Sequence, residues 1–408
     1  MNRSFITLLI SQTATNLGFA LYTMIVVLHL YQETGSTTLS ATVTLVSILS
    51  RMVSTIFLPV VSEKLKLTTI LKVAQASQLL LLLVLFYLLG LSMSPGTLTS
   101  IFVILSLMAF FSGVFTPIKS TLVKNIVPLE HRVRANSVLA TVDQTFLFAG
   151  WTFGGMLLAF LGKQPSLIIT FGLILLSTIC LFLIKVTSAQ EIHLNQGFFE
   201  RLTTGWKYLF KHRQLRILVI MDLLEAWVGT IWIGAVTLTF AKEALGKGEV
   251  WWGYINGGYY LGTIVGGIFI FRLSKVMEGK LTTYMLIGST VFGALTFLYG
   301  FVSSPLLALL LVVLMGPSYQ MRDLAQETIY QNSTDQHTLT RILAAKSTLI
   351  QLIFIISILG IGILTDMIGV RLVYILSGCL LLLSSGIGYY FLKQSGNHSE
   401  NKEEYGVN

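Results

Sequence analysis

Residues 79–91 read Leu-Leu-Leu-Leu-Leu-Val-Leu-Phe-Tyr-Leu-Leu-Gly-Leu, and residues 306–315 read Leu-Leu-Ala-Leu-Leu-Leu-Val-Val-Leu-Met. Neither run alternates polar with apolar residues, so neither is a strand of a membrane barrel, which would show weak alternating segments of about ten residues. Similar runs recur along the chain, each about 20 residues long, the length a helix needs to cross a hydrocarbon core of about 30 Å. Composition agrees. The 408 residues are 54% hydrophobic and 11% charged, with mean hydropathy +0.78, whereas a soluble domain carries about 25% charged residues. The fold class is therefore all-α: a polytopic membrane protein of twelve transmembrane helices in two six-helix, pseudo-symmetric bundles.

The spans are expected at residues 5–31, 39–61, 68–90, 98–122, 135–161 and 167–186, then 215–241, 250–272, 281–302, 306–321, 343–365 and 372–392. The first is too long for a cleaved signal peptide and lacks a small-residue cleavage site. Lys and Arg set the orientation, because positive loop charge resists translocation. With both termini cytoplasmic, inner loops hold twelve basic residues, among them Lys64, Lys66, Lys124, Arg201, Lys211 and Lys280. Outer loops hold Lys163, Lys242, Lys247 and Arg371. The net charge of +9 is thus that of loops facing anionic headgroups of the cell membrane, and no nucleic-acid partner is needed to explain it. Cys180 and Cys379 fall inside spans and read as free, buried thiols.

The longest polar stretch between spans divides the chain into an N-terminal bundle (1–186), a linker (187–214), a C-terminal bundle (215–393) and a tail (394–408) expected to be disordered. In the linker, Phe198, Phe199, Leu202, Trp206, Leu209 and Phe210 recur at helical spacing between basic residues. That pattern predicts an amphipathic helix on the inner membrane surface. The halves repeat each other in outline. Lys66-Leu67-Thr68-Thr69 after the second span is echoed by Lys280-Leu281-Thr282-Thr283 after the eighth, and Thr116-Pro117 by Gly316-Pro317. Six-plus-six repetition is the architecture of transporters that alternate access by rocking one half against the other.

The Glu33-Thr34-Gly35-Ser36 turn, the loop from Val127-Pro128 to Arg134-Ala135-Asn136-Ser137, the Gly205-Trp206-Lys207-Tyr208-Leu209 helix and the Asp366-Met367-Ile368-Gly369-Val370 turn resemble the macrolide-efflux, drug:proton antiporter branch of the major facilitator superfamily. The resemblance spans about residues 5 to 393. It implies a proton-coupled exporter of an amphipathic organic molecule, working without a cofactor and as a monomer. Export of a siderophore or another specific natural product is the alternative. One departure is plain: the loop between the second and third spans, which in this superfamily is rich in glycine and carries Asp and Arg, reads Ser62-Glu63-Lys64-Leu65-Lys66-Leu67 here. Glu63 is left to pair with a basic residue of a neighbouring helix.

Ionisable residues inside spans mark function, because an isolated charge in hydrocarbon is costly. Asp222 and Glu225, three apart on the seventh span, share a face. In the resembled family that helix lines the central cavity, which makes the pair candidates for proton coupling or substrate binding; a structural partnership is the plainer reading. Arg51, in the middle of the second span, is the partner expected for Glu225. Asp143 is a second carboxylate on the fifth span. Arg322, Asp323 and Glu327, at the end of the tenth, read as an inner gate with Arg341 or Lys346, and Lys119 as a side chain reaching for the interface. Gln12 and Asn16, four apart, and Trp227 and Trp232 are candidate cavity-lining residues, with helix packing as the alternative. Gly150-x-x-x-Gly154 and Gly262-x-x-x-Gly266 are expected to bring the fifth and eighth spans together.

Enzyme, receptor and pump readings find little in the chain. There is no Gly-Lys-Ser/Thr phosphate loop, and the six histidines show no metal-ligand spacing.

Overall fold

In the computed structural model the described residues are 3–34, 37–184, 198–232 and 235–404; the surroundings of some residues within these ranges, Gly154 among them, lie outside the description. Sequence order gives α1 (Arg3–Thr34), α2 (Thr37–Lys64), α3 (Leu67–Leu88), α4 (Pro95–Gly113), α5 (Phe115–Ile126), α6 (Arg132–Leu161) and α7 (Lys163–Leu183). After residues 185–197, which are outside the description, come α8 (Phe198–Lys211), α9 (Arg213–Gly229), α10 (Ala235–Thr239) and α11 (Glu249–Glu278). The chain continues with α12 (Leu281–Tyr299), α13 (Pro305–Ser333), α14 (Gln336–Ile368) and α15 (Val370–Glu404).

Among the described residues ten helices are long and apolar enough to cross a membrane, and a bent pair, 213–232 with 236–244, makes eleven. The 30-residue α6 completes the twelve-helix fold. Large apolar side chains stand exposed along the helices, such as Leu80 and Tyr87 on α3, Phe182 and Leu183 on α7, and Leu306 and Leu310 on α13. A soluble protein could not leave so many in water; here they face lipid. Inside the spans, many serine and threonine hydroxyls turn back onto the carbonyl four residues earlier, as Thr170 does to Ser166 and Thr178 to Ile174, which lowers the cost of holding them in hydrocarbon.

Several boundaries differ from the sequence expectation. The fourth span runs through residues 95–126 as expected but is interrupted by a single turn at Val114, between α4 and α5 and two residues before Thr116-Pro117; proline fits the first turn of a new helix better than the middle of an old one. Polar residues shortened the tenth and eleventh spans on paper, whereas α13 runs on to Ser333 and α14 starts at Gln336. The tail drawn as disordered is helical up to Glu404. Cys379 is exposed, while Cys180 is buried as expected.

The chain forms two compact units. The first comprises Met1–Pro128, Val142–Trp206 and Thr334–Gln351, and the second Leu129–Thr141, Lys207–Ser333 and Leu352–Asn408. Each bundle thus takes in one short segment from the other half of the sequence. In the second unit the start of α6 is held by Asn136, whose amide donates to Thr328 Oγ1 (3.1 Å) and to Gln331 Oε1 (2.9 Å), and by Arg132 donating to Asn332. In the first unit the start of α14 is held by Thr340 to Thr121 (3.1 Å), Thr55 to Thr348 (2.9 Å) and an ion pair between Arg341 and Glu63. Glu63 of the altered loop therefore does find a basic partner, in Arg341. The helix α8 buries Gly205 and Leu209, and Gly205 lies against the backbone carbonyl of Arg341. The surroundings of Phe198, Phe199 and Leu202 lie outside the description.

Close helix approaches also fall elsewhere than expected. Gly262 and Gly266 face Val313 and Pro317 of α13, and Gly150 faces Leu17 and Ala20 of α1. The meeting of α6 with α11 is at Gly267, against Thr141.

Candidate functional site

The second unit contains the densest buried charge among the described residues. Asp222 and Glu225 lie roughly 14 and 18 Å along α9, counting about 1.5 Å per residue. Both carboxylates meet one guanidinium: Arg322 Nη2 is 2.9 Å from Asp222 Oδ1 and 2.6 Å from Glu225 Oε2. The side chains of Arg322, Asp222 and Glu225 are only 6%, 6% and 16% exposed. Asp323, 46% exposed, stands 3.8 Å from the other terminal nitrogen. The Tyr330 hydroxyl donates to Asp222 Oδ2 (3.0 Å), and the Gln326 amide donates to the Leu218 carbonyl (3.1 Å). Charge-assisted bonds of this kind are about twice as strong as neutral ones, and they offset the cost of holding the ions away from water.

Sequence reasoning found both acids and Arg322 but joined them wrongly. It gave Glu225 to Arg51; the guanidinium bonded to it belongs to Arg322, which had been assigned to a gate at the membrane surface because the tenth span was ended at Met321. It missed Gln326 and Tyr330. The signal was present: Arg322, Gln326 and Tyr330 are four apart and so lie on one face of α13.

The seventh span breaks just beyond Glu225. After α9 comes a single 3-10 turn, Thr230–Trp232, then α10 and a wide turn, Phe240–Ala244, and the two parts are inclined by 51°. Gly229 ends α9 at the break, and glycine has a low helix propensity. Carbonyls freed by the break are met by side chains: Ser357 donates to Trp227, and Thr237 (3.0 Å) and Tyr374 (2.9 Å) both donate to Ile231. The Thr230 and Ser357 hydroxyls lie 2.6 Å apart. Irregular backbone at membrane depth survives only when it is satisfied in this way, and transporters place it beside their sites. Trp232 packs against Tyr299 (5.2 Å between ring centres) and Tyr374 (5.1 Å) and lies parallel to Tyr259 at 6.5 Å. Trp227 lies against Gly360. Both tryptophans therefore border the apolar core of this unit.

The first unit holds a smaller constellation. Asp143 of α6 accepts from Gln12 and from Asn16 (3.0 Å) of α1, and pairs with Lys119 of α5 at 3.5 Å. Gln12 with Asn16, Asp143 and Lys119, singled out at three separate places in the sequence, thus form one group of four. Lys119, expected to reach for the interface, turns inward because Asp143 is the nearer counter-charge. Arg51 stands apart from this group, with its guanidinium 4.2 Å from the centre of the Phe19 ring. Among the described residues no cluster of His, Cys, Asp and Glu has the geometry to hold a metal ion. Glu327 is half-buried on α13. The packing of Gly154 lies outside the described residues.

Residues 8–321 match the sequence model of the Major Facilitator Superfamily. An uncharacterized MFS-type transporter of Bacillus subtilis, YfmI, is 45% identical over 403 residues, covering 98% of this chain and 99% of that one. A second from the same organism, YjbB, is 30% identical over 394 residues, 94% of each chain. Among solved structures, a bacterial homologue of the iron transporter ferroportin in its outward-facing state superposes with a TM-score of 0.80 at 14% identity, covering 96% of this chain and 100% of that one. The fucose:proton symporter of Escherichia coli gives 0.73 at 16%, covering 95% and 99%. At such identities the two structures speak for the fold alone.

Proposed function

From the premise that the chain belongs to the Major Facilitator Superfamily, and so is a multi-pass membrane transporter of a small molecule, we propose that it is a proton-coupled exporter working by alternating access. The observation that carries this reading is the convergence of Asp222 and Glu225 on Arg322 inside the second unit. A proton arriving on Glu225 removes one negative charge from the guanidinium and turns a charge-assisted bond into a neutral one, roughly halving it. That loosens α9 against α13 next to the break in the seventh span, and loss of the proton restores the bond. A buried carboxyl group is suited to such exchange, because burial favours its neutral form and an adjacent arginine its charged form, so a small rearrangement tips the balance.

Both termini are read as cytoplasmic, from the distribution of Lys and Arg. The cargo is an amphipathic organic molecule. The family branch resembled in sequence points to macrolides and other drugs, while the unpaired Arg51 favours a siderophore-like or other specific natural product. Efflux of a dye or macrolide from energised cells, with and without a protonophore, tests coupling: energy-dependent efflux should disappear in Glu225→Gln at equal membrane expression. Efflux that survives both the protonophore and the substitution would refute proton coupling through this group.

A further inference from the structure

The first unit contains an intramembrane cation that no carboxylate among the described residues neutralises. In the same unit Asp143 is matched with Lys119 and Glu63 with Arg341. Arg51 has no carboxylate partner among the described residues. Its Nε is sealed from solvent without a hydrogen-bond partner, its guanidinium lies over Phe19, and the phenol of buried Tyr22 is near enough to act on it electrostatically. An aromatic face softens the cost of such a cation but does not cancel it.

The position of Arg51 on α2 is equally specific. Leu45, Leu49, Val53, Phe57 and Val61, four apart, form an exposed apolar stripe, the face for lipid. Arg51 lies on the opposite face, in line with Thr44, Ser47 and Thr55, a row in which Ile48 is the apolar member. That face is graded along the helix. Thr44 is exposed, Ser47, Ile48 and Arg51 are half-buried, and Thr55 is closed off by its bond to Thr348. Within the first unit the hydroxyl-bearing face is therefore open from Thr44 as far as Arg51 and closed one turn beyond it at Thr55, with Phe19 beside the guanidinium.

We propose that Arg51 binds the anionic group of the cargo, with Phe19 beside it, so that the transported class is an amphipathic organic anion: a carboxylate, sulfonate or phosphate on an apolar body. A planar guanidinium with free donors matches such groups in two-point geometry. A cationic drug would meet like charge here, and the acids it would need, Asp222 and Glu225, are already bonded to Arg322. The inference rests on the exporter reading and narrows its cargo.

The test is equilibrium binding to purified protein in lipid nanodiscs, with empty discs subtracted, using 11-(dansylamino)undecanoic acid and its primary amide. The two probes differ only in charge at one end. The wild type should bind the acid about tenfold or more tightly than the amide. Arg51→Gln should bring the ratio close to one, and Arg51→Lys, which keeps the charge but not the fork and serves if the glutamine variant does not fold, should reduce it without abolishing it. Equal affinity for both probes in the wild type, failure of the acid to bind, or an unchanged preference in Arg51→Gln would overturn the proposal. Acid-selective binding without proton-driven efflux would instead refute the exporter reading and leave the Arg51 site standing.

Discussion

Arg322 Nη2 lies 2.6 Å from Glu225 Oε2, although the two residues are far apart in the sequence, and the same nitrogen reaches Asp222. One arginine thus ties two turns of α9 to α13.

Removing that arginine leaves two carboxylates facing each other away from water. Arg322→Leu is expected to destabilise the protein by about 3–5 kcal/mol, the cost of breaking a buried ion pair from one side. Thermal melting of detergent-solubilised protein, followed by size-exclusion chromatography, would show a large drop in midpoint or a loss of the monodisperse peak. Arg322→Lys should fold better but transport poorly, because a point charge cannot repeat the two-acid geometry. A melting curve of Arg322→Leu like that of the wild type would contradict the pairing.

Tyr330→Phe tests one bond. The substitution deletes the hydroxyl that donates to Asp222 Oδ2 and keeps the ring, so the expected loss is about 1–2 kcal/mol, a bond to a charged acceptor being worth more than the neutral average. The same melting assay should place this variant between the wild type and Arg322→Leu.

Gly266→Leu is expected to prevent folding rather than merely to block transport. A Cβ at this position would stand 2.5 Å from the Pro317 Cα, and backbone cannot yield as a flexible side chain does. Gly253→Ala is the control, because nothing lies within 4 Å of a Cβ there. Failed transport at normal insertion is the alternative outcome for the Gly266 variant. Comparing its membrane yield with that of the control separates the two outcomes.

Glu63 and Arg341 offer a charge reversal. Glu63→Arg or Arg341→Glu alone places like charges together at a site where both side chains are largely covered, 13% and 7% exposed. Each single variant should lose transport or stability, and the double variant should recover part of the loss. A double variant no better than the worse single would mean that the two residues act independently.

The sequence by itself determined the class of this protein. Hydrocarbon imposes its demands locally, since every stretch of about 20 residues that crosses it must be apolar and hydrogen-bonded within itself. Runs such as residues 79–91 could therefore be read in isolation. For the same reason Asp222, Glu225, Asp143, Arg51 and Arg322 stood out one by one as charges that need a cause. What the sequence could not supply was the pairing. Arg322 belongs to Glu225 and Asp222, Arg341 to Glu63 and Lys119 to Asp143, and each choice depends on which helix faces which and at what depth. Those facts arise from close approaches such as Gly266 on Pro317, between residues far apart in the chain. The break in the seventh span is of the same kind: Gly229 permits it, but hydroxyls from Ser357 and Tyr374, on two later helices, make it stable. Apolarity is a property of one segment and can be read from it, whereas the partner of a buried charge is decided only when the helices have packed.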